Sequence, residues 1–190
     1  MSKKTTLALP AIVLLLGLGS CTSSRFYDHR FQPAPLEVEV GTQAVAGSQV
    51  RTLVTVIGIQ RAGEGQPASA IVRMRLENLG SAPARLETES MSLVSADLVV
   101  FGPARIVSAD PAGLPEGEIA AGGDGAIDLM FPLPEGRKAS EVDLSGLNLR
   151  FTLRFGEHGA TAGATFRRVE WGYWDPGSPR LSIGVGITSD

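Results

Sequence analysis

Leu36, Val38 and Val40 alternate with Glu37 and Glu39, and this period of two recurs along the chain. Successive side chains of an extended strand point to opposite faces, so the spacing predicts a half-buried β-strand. Val50–Gln60 is apolar at both parities, which predicts a strand covered on two sides and therefore central. The tract from Arg61 to Gln66, with Gly63 and Gly65, predicts a turn. From Ile71 to Asn78, Val72, Met74 and Leu76 fall on one face and Arg73, Arg75 and Glu77 on the other, before Asn78-Leu79-Gly80-Ser81 ends the run. Leu86 to Val94 and Leu98 to Val107 predict two further strands. Gly102-Pro103 interrupts the second, and a missing amide donor there predicts a bulge or an edge. Asp110 to Gly125 reads as a long polar loop, and Ser140 to Asp143 as at most one helical turn. Ile127, Leu129, Phe131 and Leu133 mark another strand. Leu147 to Phe155 follows, with Leu149, Phe151, Leu153 and Phe155 inward and Arg150, Thr152 and Arg154 outward. Gly156-Glu157-His158-Gly159 predicts a turn into a strand over Ala162 to Val169.

About eight short strands with regular turns predict an all-β fold, a single antiparallel β-sandwich of about seven to nine strands, with a small closed β-barrel as the alternative. The spacing of Val50–Gln60, Ile71 to Asn78 with its Asn-Leu-Gly-Ser turn, Ile127 to Leu133 and Leu147 to Phe155 resembles Ig-like domains of bacterial envelope proteins, without their Cys-Trp-Cys core. That scheme makes the strands at 71–78 and 147–155 neighbours in one sheet. Arg73, Arg75, Arg150 and Arg154 then share one outward face. Guanidinium forks match carboxylate and phosphate, so this face is a candidate for an anionic partner. Cross-strand pairing with Glu77, Glu87 or Glu89 is the alternative.

The first twenty residues follow a different pattern. Lys3 and Lys4 precede an apolar run from Leu7 to Leu18, too short for a mature transmembrane helix and closed by small residues before the single cysteine. Leu18, Gly19, Ser20 and Cys21 resemble the motif of bacterial lipoprotein precursors. The resemblance implies cleavage before Cys21, acylation of that cysteine with three chains, and anchorage to a membrane through lipid. Thr22 in place of Asp implies the outer membrane, facing the periplasm, where the source has two membranes. Residues 21–35, with Ser23, Ser24, Pro33 and Pro35, read as a lipidated tether whose 15 residues reach about 50 Å. Phe26, Tyr27 and Phe31 lie in the headgroup zone or dock on the domain. The expected organisation is thus a signal peptide at 1–20, the tether at 21–35, an Ig-like sandwich at 36–170, and an aromatic and Gly/Pro-rich segment with a C-terminal strand at 171–190.

Loss of Lys3 and Lys4 with the signal segment moves the formal charge from −3 to −5, which argues against nucleic acid and anionic lipid as bulk partners. A lipidated Cys21 leaves no thiol for a disulfide or a thiolate metal site. The two histidines, His29 and His158, fall in the tether and in a turn, away from any serine nucleophile pattern. Asp110, Glu116, Glu118 and Asp124 lack the alternating ligands of a calcium loop, and Gly184-Val185-Gly186 opens no phosphate-binding helix. No enzyme, cofactor or metal is expected. Trp171, Tyr173 and Trp174 are three of the four Trp and Tyr residues. Beyond the Asp175–Pro179 break, Leu181 to Thr188 alternates aliphatic residues with Ser, Gly and Thr, a strand that pairs with its own sandwich or augments a partner's sheet. The expected function is a non-catalytic binding or assembly module that contacts another envelope protein or a glycan. A carrier of an apolar ligand in a barrel cavity is the alternative.

Overall fold

In the computed structural model, which describes residues 25–63, 65–109, 114 and 117–169, the apolar rows face one another across two antiparallel sheets. The strands are β1 (Arg30–Gln32), β2 (Leu36–Val40), β3 (Val50–Gln60), β4 (Ser69–Asn78), β5 (Ala84–Leu86), β6 (Ser92–Ser95), β7 (Arg105–Ala109), β8 (Glu118–Ile119), β9 (Asp124–Pro132), β10 (Gly146–Phe155) and β11 (His158–Val169). One sheet runs β2-β3-β4-β9-β7, and the other β1-β11-β10-β5-β8 with β6 also paired to β10. The sandwich expected from the alternation is the fold. Its sheets do not close into a barrel, so the barrel alternative falls, and with it the barrel cavity that a ligand carrier needed.

The alternating residues fill the space between the sheets. Val54, Met74, Leu76, Ile127, Leu129 and Phe131 come from one sheet, and Leu149, Phe151, Leu153, Phe155 and Phe166 from the other, all essentially inaccessible to water. Each such side chain contributes about 1.5–3 kcal/mol by burial, and this row supplies the stability that disulfides provide elsewhere. β3 is central, as its apolarity at both parities predicts.

Four local departures from the expected pattern have physical causes. The sandwich begins inside the predicted tether, because β1 pairs with β11 and buries Phe31. Tyr27, His29 and Phe31 already carry a period of two, masked in the sequence by the prolines that follow. Pro33 and Pro35 offer no amide donor and end β1, after which the chain crosses to the other sheet as β2. The expected strand at 86–94 is a single path along β10 broken by a 3-10 turn at Thr88–Ser90. The loop at 110–125 contains β8, whose two residues pair with β5 and are too few to show a period. Finally, β11 starts at His158, because Gly156 adopts φ +62° and Gly156-Glu157 alone turn the chain.

The register defines two poles. At the proximal pole the chain leaves Arg25 and Phe26, Phe26 bridges Gln60 at the end of β3, and β11 ends at Val169 opposite Arg30. The ends of β6 and β9 and the starts of β4, β7 and β10 lie there too. The distal pole holds the β2–β3 and β10–β11 turns and the end of β4.

Candidate interaction surfaces

The four arginines expected to share a face do not. β4 and β10 lie in different sheets, so Arg73 and Arg75 project from one outer face of the sandwich and Arg150 and Arg154 from the other. Alternation reveals which side chains point outward, but it carries no information on which sheet a strand joins. Arg73 makes a two-pronged contact with Asp128, Nε to Oδ1 at 2.7 Å and Nη2 to Oδ2 at 2.8 Å. That hydrogen bond, and then the charge of Asp128, raise the Arg73 pKa further above its ordinary value. Arg75 reaches Asp124 at 3.1 Å, and Arg154 pairs with Glu87. Arg51 bridges Glu37 and Glu77, each at 3.2 Å. Exposed pairs of this kind contribute about 0.2–1 kcal/mol each. Arg150 stands between Ser92 and Gly163 on neighbouring strands. Both outer faces therefore carry ion pairs, and the anion site assembled from four guanidinium groups does not form.

The strand β7 is a different kind of surface. All five of its residues are exposed, and its one paired edge faces β9. Ile106 and Val107 are 53% and 58% exposed, and the register shifts between Ile106 and Ser108. The strand expected from Leu98 to Val107 is confined to Arg105–Ala109. Gly102-Pro103 lies before it, outside any strand, and the irregularity falls between Ile106 and Ser108, on a strand that is an edge as expected. Among the described residues the outer edge of β7 offers unpaired backbone groups beside apolar side chains, the usual template for an added strand.

A third surface forms at the proximal pole, where the segment read as a tether docks. The Tyr27 amide donates to the Ile59 carbonyl at 2.9 Å, and the Arg61 amide donates to the Arg25 carbonyl at 3.0 Å. Arg61 also places its guanidinium 4.7 Å from the Tyr27 ring centroid. His29 stacks on Tyr27 at 5.7 Å and meets Phe31 edge-on at 6.5 Å. Gly58 admits this packing, since a Cβ there would sit 3.3 Å from the Phe26 ring. Burial lowers the His29 pKa from 6.5, the charge of Arg168 lowers it further, and Asp28 opposes both. His158 is exposed at the start of β11, far from His29 at the other pole.

The distal pole is closed by Asn78, a residue read in the sequence only as a strand end. Its amide side chain donates to the carbonyls of Ala82 at 2.8 Å and Ala120 at 3.1 Å, and accepts from the Gly80 amide at 3.0 Å. Its backbone amide reaches Gly123 at 2.9 Å. A Cβ on Gly80 would collide with the Gly47 carbonyl, so the Asn-Leu-Gly run is dictated by a close backbone approach.

In the acidic loop, Asp124 engages Arg75 and Glu118 lies exposed on β8, while Asp110 and Glu116 fall outside the described residues. Leu18, Gly19, Ser20, Cys21, Trp171, Tyr173 and Trp174, and the strand expected at 181–188, also lie outside them. What the fold defines is a two-sheet antiparallel β-sandwich. No family model and no curated protein matches the chain.

Proposed function

We propose that this chain is a lipid-anchored cell-envelope protein whose sandwich works as a non-catalytic binding or assembly module. The observation that supports binding is the bare edge of β7, with Ile106 and Val107 exposed beside unpaired backbone groups. An edge strand with exposed apolar side chains invites an extended segment of another envelope protein, held by main-chain hydrogen bonds. The Leu18-Gly19-Ser20-Cys21 motif supports the address, with lipid on Cys21 and the outer membrane as the site in a two-membrane cell. Trp171, Tyr173 and Trp174 are the aromatic anchors that a partner, protein or glycan, would meet next.

Two measurements test this reading. A palmitate analogue fed to cells is expected to label the protein, and Cys21→Ser to abolish the label; unchanged membrane attachment in that variant refutes the anchor. A photo-crosslinker at Val107 in intact envelopes is expected to capture a discrete protein partner that the same probe at Arg150 does not. Equal yields at the two positions would refute the edge as the binding surface.

A further inference from the structure

We infer that the proximal pole is seated on the lipid surface, with Leu98 as its apolar contact and the pole closed by Asn78 turned toward the aqueous side. The inference rests on the acylation of Cys21 proposed above. Three residues separate Cys21 from Arg25. At about 3.6 Å per residue the lipid-bearing cysteine stands no more than about 14 Å from the pole, less than half the length of an eleven-residue strand such as β3. A 15-residue tether would have let the domain stand clear of the membrane. Docking of Phe26, Tyr27 and β1 removes that freedom and leaves one pole beside the bilayer.

That pole carries a side chain with no use in water. Leu98 is 79% exposed and is the one described residue other than glycine with a positive φ, at 64°. Glycine and asparagine adopt this backbone conformation readily, and a leucine does so only when the surroundings hold it there. The holding group is Ser95, fully buried at the end of β6. Its hydroxyl accepts from the Val99 amide at 3.1 Å and donates to Asp97, while its backbone closes the turn through Val99 at 3.0 Å and Leu98 at 3.1 Å. The result is a rigid turn with a leucine at its tip and Val100 exposed beside it.

The charged groups around it are of both signs. Arg25, Arg61, Arg137 and Lys138 are exposed in the loops of this pole. Of the acids there, Asp97 is engaged by Ser95, Asp143 accepts from the Ser145 amide at 2.9 Å, and Glu141 accepts from the Lys138 amide at 3.2 Å; Asp28 and Glu135 are also present and exposed. The acids and bases of the pole roughly balance, so the contact with the headgroup layer rests on the apolar tip and the short spacer rather than on charge. β11 ends at this pole as well.

Acylation consumes the one native thiol, so an introduced cysteine is the only one available to a label. Full-length acylated protein carrying Leu98→Cys, Val100→Cys or Glu157→Cys is labelled with an environment-sensitive fluorophore and reconstituted into phosphatidylcholine and phosphatidylglycerol vesicles. The probe at 98 is expected to shift to the blue and to be quenched by brominated lipid at least twofold more than the probe at 157, with the probe at 100 between them. Equal, weak quenching at 98 and 157 in protein that carries the acyl label overturns the seating while leaving the anchor intact. Absence of the acyl label removes the premise and overturns the inference by a distinguishable route.

Discussion

The two poles of the sandwich are closed by different forces. The distal pole is a hydrogen-bonded knot in which one buried amide, Asn78, satisfies backbone groups from two separate connections. The proximal pole is closed by rings and a cation, with Tyr27, His29, Phe31 and Arg61 laid over the ends of β3 and β11. A hydrogen-bonded closure tolerates no change of atom type, because the two carbonyls and the one amide that Asn78 serves would each lose a partner. A stacked closure tolerates change of type but responds to volume and to charge.

The sharpest way to break this comparison is to remove a ring. Phe31→Ala is expected to cost about 3–5 kcal/mol, the usual range for a buried phenylalanine, measured as a drop in the midpoint of denaturant unfolding. A segment that served only as a tether would show no change. Next in size is Asn78→Ala, which strips the donors and acceptor from a side chain only 1% exposed. It is expected to cost about 1–3 kcal/mol, with faster amide exchange at Gly80 and Gly123 and unchanged exchange in β10.

The smallest effect is a dependence on pH confined to the proximal pole. The folded protein favours neutral His29, so the unfolded chain binds more protons as the pH falls through 6.5. Stability is therefore full above that pH and declines below it. The decline is expected to vanish in His29→Gln, read from unfolding midpoints between pH 7.5 and pH 5, and to be unaffected by Asn78→Ala. A slope that persists in His29→Gln would assign the titration to another group.

Much of the core was legible because burial and alternation are the same fact viewed from sequence and from structure. Val50–Gln60 reads as it folds, and the inward row of β10 is the row that the spacing of Leu149, Phe151, Leu153 and Phe155 implies. What alternation cannot convey is adjacency. Arg73 and Arg154 have the same outward signature and end on opposite faces, because the choice of sheet depends on which connections cross between the sheets, as the five-residue one from β4 to β5 does. β1 was hidden for another reason. Its three residues share a neighbourhood with Ser23, Ser24, Pro33 and Pro35, and composition outweighed a period carried by only Tyr27, His29 and Phe31. The Ser95 turn was invisible, since a leucine at positive φ leaves no trace in a one-dimensional pattern.

The path of the first strand also decides how the molecule bears force. β1 and β2 both run away from the proximal pole, so tension on Arg25 pulls along the strand axes rather than across them. The bonds from β1 to β11, and after them those from β2 to β3, are then loaded in shear instead of being unzipped singly. Because the chain crosses between sheets at Pro33–Pro35, neither sheet can surrender its edge without dragging on the other. A drag on the far side of the sandwich is therefore transmitted to the N-terminus as through a double clamp, and it is the unfolding rate, more than the equilibrium stability, that sets how long the domain holds.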